Sequence, residues 1–334
     1  MEEILENNTI RQFKNLAIKE LQGTSPSPAL DVEVLLSHAL KYDKTQLLLF
    51  AEDNIPEDKV VWLNKAITRR KTGLPVAYIT GVKEFYGYDF FVTPDVLIPK
   101  PDTEILVEHA IEMIMDKMDG EDAAARPLSI CDMCTGSGCI GLSVMRTLYT
   151  LEKVPVEKLP LLTMVDISEP ALAIAKKNAA SLLPDSDILQ KITFIQSDLF
   201  EKVTGQFDFI LTNPPYIPSA MVDELLKDGR NEPRLALDGD MALRQAQGPH
   251  ASGVAEPVEG VEGPHDGTYL IKKLLKQSCE HLANNGTILM ETGEYNAQAT
   301  ADFANELGFT TQLHTDLEGQ LRVVELRLSG QARQ

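Results

Sequence analysis

Apolar residues recur at helical spacing from residue 2 to about 72, and then the period changes. In "ALDVEVLLSHAL" (29–40) they fall three and four apart, the mark of an amphipathic helix, and Pro28 stands where a first helical turn tolerates proline. "PEDKVVWLNKAITRRKTG" (56–73) opens with proline and acids and closes with basic residues and glycine, so it carries both a start and a stop. A small all-helical domain over residues 1–73 is predicted. Between residues 73 and 104, aromatic and β-branched residues alternate around Gly81 and Gly87, which predicts a hairpin linker over 74–101.

From Asp102 onward, helical and strand-like periods alternate. "DTEILVEHAIEMIMDKM" reads as a helix, "LSICDM" as a strand and "CIGLSVMRTLY" as a helix. "LLTMVDI", "SEPALAIAKKNAASL", "KITFIQSD" and "FDFILTN" continue as strand, helix, strand and strand. The helix "TYLIKKLLKQSCEHL", the strand "GTILMET" and the helix "NAQATADFANELG" follow. The chain closes on "FTTQLHTD" and "LRVVELRL", joined by "LEGQ" with no helix between them. This order predicts an α/β, doubly wound, mostly parallel sheet with an antiparallel C-terminal hairpin at one edge, over 102–330. One stretch fits no period. Residues 239–267, rich in Gly, Pro, Ala and Glu, cannot bury enough apolar surface to offset their ordering entropy. A disordered surface insertion is expected there, with a lid or partner-binding loop as the functional alternative.

Composition narrows the class. The 334 residues are 43% hydrophobic, enough for real cores, and no apolar run reaches the ~20 residues of a membrane span. The acidic, amphipathic N-terminus does not read as a signal peptide, and four irregularly spaced cysteines make no disulfide framework. A cytoplasmic protein is expected. The net charge of −19 argues against direct nucleic-acid binding, which draws its affinity from phosphate neutralisation. The basic run "TRRK" (68–71) reads as a solvated helix end.

Two turns carry the chemistry. Gly136, Gly138 and Gly141 in "CTGSGCIG" spell G-x-G-x-x-G after a strand, the spacing of a dinucleotide loop. Asp132 precedes them, however, where a carboxylate suits a cation or amine and repels a phosphate. The next strand ends in Asp166, placed for both hydroxyls of a ribose. An adenosine ligand with ammonium and sulfonium groups, S-adenosylmethionine, suits this set better than a dinucleotide; a bare strand–helix turn is the bland alternative. After the third strand, Asp198 could accept from an adenine amino group and Leu199 could pack on the ring, or Asp198 could merely cap a turn. Cys131 and Cys134 form C-x-x-C without the second pair that zinc requires, and read as small core residues.

The second turn is "NPPY" (213–216), at the end of the fourth strand. Two prolines stiffen it and remove two donors. The side-chain oxygen of Asn213 and the carbonyl of Pro214 could then grip both hydrogens of a planar NH₂, with Pro215 stiffening the turn and Tyr216 stacking on the plane. That pattern points to N-methylation of a conjugated amine: exocyclic adenine, or a Gln or Asn side chain.

"GLPVAYITGVKEFYGYDFFVTPDVLIPKPDTEILVE", "CTGSGCIGLS", "VDISEPALAIAKKN" and "NPPYIP" followed by "NEPRLALDG" together resemble the glutamine methyltransferases of peptide chain release factors. The resemblance runs from about residue 20 to 328, outside the insertion. It implies a seven-stranded class I methyltransferase sheet, a helical domain that docks the factor, and S-adenosylmethionine as methyl donor. The acceptor it implies is the glutamine of a Gly-Gly-Gln loop in class I release factors. By position, Cys134, Thr135, Gly136, Ser137 and Gly138 would form the cofactor loop, with Asp166, Asp198, Leu199 and Asn213 completing its pocket. Asn213 to Tyr216 would hold the glutamine amide. Lys100 stands where the family usually carries Arg in "IPRPDTE". An adenine methyltransferase of DNA or RNA is the rival with the same chemistry.

Overall fold

The computed structural model describes residues 9–120, 126–183, 185–228, 231–240, 266–316 and 318–328. The chain divides into two compact units: Met1–Val82 with Glu224–Asn231, and Lys83–Asp223 with Glu232–Gln334.

The first unit is helical. Helix α1 (Ile10–Leu21) starts at a capping box, in which the Thr9 hydroxyl accepts from Gln12 N and the Gln12 side chain accepts from Thr9 N. It buries Ile10, Phe13, Ala17 and Leu21, one stripe at helical spacing. Helix α2 (Pro28–Leu40) has its proline in the first turn, as expected. Helix α3 (Lys44–Leu49) has a second capping box from Asp43 and Gln46, a signal the apolar period alone does not reveal. Helix α4 (Glu57–Lys71) begins with Glu57 and Asp58 and ends with Arg69, Arg70 and Lys71, matching its dipole. Its basic end is not simply solvated. Arg70 is 9% exposed, because its Nε donates to Asp31 Oδ2 at 2.6 Å and its Nη1 to the carbonyls of Gly73 and Leu74. The short helix α5 (Val76–Thr80) is closed by Gly81 at φ 74°. Gly81 is thus a helix cap rather than part of the hairpin, which turns on Tyr86 (φ 53°) and Gly87 (φ 74°) between β1 (Val82–Phe85) and β2 (Tyr88–Phe91). Two central residues of positive φ are what a type I′ turn requires.

The second unit follows the alternating pattern. After a 3₁₀ turn at Pro101–Thr103 come α6 (Glu104–Asp119), β3 (Ser129–Met133), α7 (Cys139–Thr150), β4 (Leu161–Asp166), α8 (Glu169–Leu182) and the single turn α9 (Ser186–Leu189). Then come β5 (Ile192–Gln196), β6 (Phe207–Thr212), α10 (Ser219–Leu225), α11 (Tyr269–His281), β7 (Leu282–Glu291), α12 (Ala297–Glu306), β8 (Phe309–Thr315) and β9 (Leu321–Leu328). The sheet has seven strands in the order β5-β4-β3-β6-β7-β9-β8, parallel from β5 to β7. β9 pairs antiparallel with both β7 and β8. Alternate strand residues feed two cores. Ile130, Phe209, Leu211 and Leu289 pack with α6, α7 and α8, while Cys131, Met133, Ile210, Ile288 and Met290 pack with α11 and α12. The order reverses between β3 and β6, which opens a crevice at the carboxyl ends of the strands there.

Most of the expected insertion, 241–265, lies outside the described residues. Its two ends do not hang free: Gly267 N donates to the Asp240 carboxylate at 3.0 and 3.1 Å, and Leu270 N to Gly239 O at 2.9 Å. No helix among the described residues is long and apolar enough to cross a membrane.

Candidate active site

The glycine loop is built by its neighbours. Asp132, fully buried at the end of β3, accepts from Thr135 Oγ1 at 2.6 Å and from Gly141 N at 3.1 Å. A Cβ at Gly141 would stand 2.9 Å from Asp132 Oδ2, so only glycine lets the carboxylate reach that amide. Gly138 caps α7 at φ 83°, and a Cβ there would meet Leu142 Cδ1 and Met164 Cε at 2.8 Å. Asp132 therefore lies beneath the loop and holds its shape, and it is absent from the cavity wall. Burial pushes its carboxyl up to about 7.

Asp166 ties the next strand end to the same loop. Its Oδ2 accepts from Gly136 N at 2.8 Å and its Oδ1 from Ser168 N at 2.9 Å. Burial raises this carboxyl also. Past β5, Ser197 N donates to Asp166 O at 3.0 Å, and the chain turns through Leu199 at φ 48°. Asp198 Oδ2 meets Lys273 Nζ of α11 at 2.7 Å, which leaves a buried Oδ1 without a partner. A buried, unpaired carboxylate oxygen is costly unless something completes it.

At the end of β6, Asn213 Nδ2 donates to Thr103 Oγ1 at 3.3 Å. Neither Asn213 Oδ1 nor the Pro214 carbonyl accepts a hydrogen bond among the described residues. The Tyr216 hydroxyl donates to Glu291 Oε1 at 3.2 Å, and its carbonyl accepts from Asn296 Nδ2 at 3.0 Å. Burial, with the Glu291 charge second, raises the Tyr216 phenol. The backbone clamps this turn further, with Ile217 N to Leu237 O at 2.9 Å and Gly239 N to Ile217 O at 3.0 Å. Gly267, at φ 79°, lies so close that a Cβ would be 2.0 Å from Tyr216 O.

These elements enclose a cavity of about 260 Å³. Cys134, Thr135, Gly136, Ser137, Asp166, Asp198, Leu199, Asn213 and Pro215 line it, and Gly138, Pro214 and Tyr216 are not among its lining residues. Pro94–Leu97, Pro99, Lys100 and Thr103 line it as well, a contribution the reading of single motifs missed. Thr103 sits within the "PDTE" run, whereas Glu291 lies in a strand end that carries no motif. Asp95, Asp166 and Asp198 face the cavity against one cationic side chain, Lys100, which is itself paired to Glu232 at 2.7 Å. Spare lone pairs on Asp166, the open Asp198 oxygen and apolar Leu199 and Ile167 fit the ribose, amine and ring of a cationic adenosine. A pyrophosphate would meet carboxylates instead. The cysteines are thiols here: burial pushes Cys139 up to about 12 and raises Cys131 and Cys134 as well, which disfavours a thiolate metal site or nucleophile.

A sheet of this order, with a glycine loop after its first strand and a carboxylate ending the second, defines a class I methyltransferase, and S-adenosylmethionine is the methyl donor. Residues 13–81 match the family described as "PrmC N-terminal domain", and residues 107–243 match "Methyltransferase small domain". Three curated relatives are each named "Release factor glutamine methyltransferase". The one from Koribacter versatilis (strain Ellin345) is 33% identical over 288 residues, 85% of this chain and 86% of the relative. That from Moorella thermoacetica (strain ATCC 39073 / JCM 9320) is 33% identical over 302 residues, 90% and 91%. That from Escherichia coli (strain K12) is 32% identical over 284 residues, 85% of each. The chain belongs to the release factor glutamine methyltransferase family.

Proposed function

We propose that this chain methylates the side-chain amide nitrogen of the glutamine in the Gly-Gly-Gln motif of class I peptide chain release factors, in the cytoplasm, and so tunes translation termination. The observation that carries this reading is Asn213, which lines the cavity with an Oδ1 that accepts no hydrogen bond among the described residues, on a turn held by Thr103, Glu291 and Asn296. The reading takes the neighbouring Pro214 carbonyl, also without a donor there, as the second acceptor. A glutamine NH₂ is a weak nucleophile because its lone pair is delocalised. Two acceptors that grip its hydrogens favour a pyramidal nitrogen and stabilise the positive charge that builds there. S-adenosylmethionine supplies an electrophilic methyl on a sulfonium. Once methylated, the nitrogen is acidic and loses its proton without a dedicated base. Asp166, Asp198 and Leu199 serve the adenosine in this reading, and Cys134 to Gly138 shape its loop.

The helical unit is assigned to docking. It holds none of the proposed site residues, and on α3 it presents Leu48 and Leu49 at 68% and 73% exposure. A net charge of −19 favours a protein partner over DNA or RNA. The test is methyl transfer from labelled S-adenosylmethionine to purified release factor and to plasmid DNA, with mass spectrometry of the factor. One methyl on the Gly-Gly-Gln glutamine supports the proposal; label on adenine would overturn it in favour of the nucleic-acid enzyme.

A further inference from the structure

We propose that Asn178 of α8 is a positioning residue that fastens two stretches of the cofactor cavity to one point, the glycine loop and the chain leaving β2, and so sets the affinity for S-adenosylmethionine. The proposal rests on the reading of that cavity as the cofactor's.

The Asn178 side chain is fully buried and makes three hydrogen bonds. Its Oδ1 accepts from Phe91 N at 2.7 Å, and its Nδ2 donates to Phe91 O at 3.0 Å and to Ser137 O at 2.8 Å. The orientation of the amide is forced, since the N–H of Phe91 can only donate and the two carbonyls can only accept. Asn178 engages both backbone groups of Phe91, as the next strand of an antiparallel pair would. Phe91 ends β2, and the cavity-lining run that continues through Leu97 begins soon after it, at Pro94. Ser137 lines the cavity itself.

The glycine loop has a gap in its other supports at this position. Asp132 holds Thr135 and Gly141, and Asp166 holds Gly136. Ser137 lies between Gly136 at φ 54° and Gly138 at φ 83°, the residue type with the least backbone restraint. Its carbonyl is held by Asn178. A second contact joins the same helix and strand without reaching the loop: Lys177 Nζ lies 3.7 Å from the centre of the Phe91 ring. Docking of α8 on β2 and support of the loop can therefore be removed separately.

The test is Asn178→Asp in the full chain, isosteric with the wild type, titrated by calorimetry with S-adenosylmethionine and with S-adenosylhomocysteine. A carboxyl offers at most one proton where the amide offers two, so at least one of the two carbonyls is left facing an oxygen. A buried carbonyl without its donor costs enough to shift an equilibrium roughly tenfold. Expected is a Kd raised about tenfold or more for both ligands, with the binding stoichiometry unchanged. A mere fold defect lowers the stoichiometry and leaves the Kd of the remaining sites at the wild-type value, and that result overturns the proposal. Lys177→Ala should keep the wild-type Kd; a loss equal to that of Asn178→Asp would mean that helix docking, not the bond to Ser137, sets the affinity. Should Asn178→Asp fail to fold, Asn178→Ala decides, because it adds no charge and suits a helix: a wild-type Kd there overturns the proposal. Asp166→Asn is measured beside them. If it loses affinity while the Asn178 variants do not, the cavity stands and the role of Asn178 falls. If Asp166→Asn keeps its affinity, the cavity is not the cofactor's and this proposal falls with it.

Discussion

Replacing Asp166 with Asn should weaken cofactor binding far more than it weakens the fold. In the folded protein each carboxylate oxygen already accepts one backbone N–H, from Gly136 and Ser168, at 2.8 and 2.9 Å. One lone pair per oxygen then remains for the two ribose hydroxyls. Asn keeps one oxygen and turns an NH₂ towards the other amide, so one of the two ribose bonds is lost and the second loses its charge. At ~1.5–3 kcal/mol for a hydrogen bond to a charged group, the loss is about 2–3 kcal/mol. That corresponds to a Kd raised roughly 30- to 150-fold. The fold is affected less, for a reason of sign. Burial raises the Asp166 carboxyl above its usual range, so its stabilising contribution is present at low pH and lost as pH rises through the folded value. At pH 8 the ionised group is a cost that Asn removes, which offsets the misdirected NH₂. Calorimetry at pH 8 with S-adenosylmethionine and with S-adenosylhomocysteine, beside a melting curve of the ligand-free protein, measures both effects. The two ligands share the ribose and should lose affinity equally. Unchanged affinity for both would refute the ribose assignment, and a loss confined to S-adenosylmethionine would mean that Asp166 acts on the sulfonium charge instead.

Gly138→Ala should lower the melting temperature by more than Gly205→Ala. Both glycines have φ above 80°, but a Cβ meets Leu142 and Met164 at 2.8 Å in the first and nothing within 4 Å in the second. The left-handed strain common to both is ~1–2 kcal/mol, so equal shifts would remove the packing argument for the loop. Leu48→Glu combined with Leu49→Glu should leave melting and cofactor affinity unchanged and raise KM for release factor about tenfold, a loss of ~1.4 kcal/mol; an unchanged KM would exclude this face of α3 from docking. Deleting residues 241–265 should shift the melting temperature by only a few degrees, because the neck from Gly239 to Gly267 is hydrogen-bonded within the described structure and changing loop length is entropically mild. A large drop would show that the deleted residues contribute to the fold.

The alternation of periods carried the sheet and its antiparallel edge from sequence to structure, because the central strands β3 and β6 are apolar runs buried almost throughout, whereas helices such as α6 and α11 bury residues at helical spacing. Short elements escaped it. Helix α3 is announced by Asp43 and Gln46, a reciprocal cap only three residues apart, and six residues give too little period to detect. Gly81 and Gly87 look alike in sequence, yet one ends a helix and the other turns a hairpin. The basic run at 68–71 hides a buried ion pair because the partner, Asp31, is distant in sequence, and charge pattern along a chain says nothing of such a partner.

The site divides in the same way, and the division has a physical cause. Residues that shape the backbone leave local marks: glycines where a Cβ would clash, prolines where the turn is stiff. Asp166 and Asn213 could be placed because strand ends in an open sheet converge on one crevice. Asp132 stood at such an end too, and its role was different, because a strand's last side chains alternate between the crevice and the layer beneath it. Here Gly141 lets the Asp132 carboxylate hold the loop from below. Residues that act through another side chain leave no such mark. Thr103 and Glu291 are brought to Asn213 and Tyr216 by the 3₁₀ turn before α6 and by the end of β7, segments that the chain places 110 residues before Asn213 and 75 after Tyr216. A motif read one segment at a time names the groups that would touch substrate, whereas the groups that orient them emerge only where the fold closes the distance.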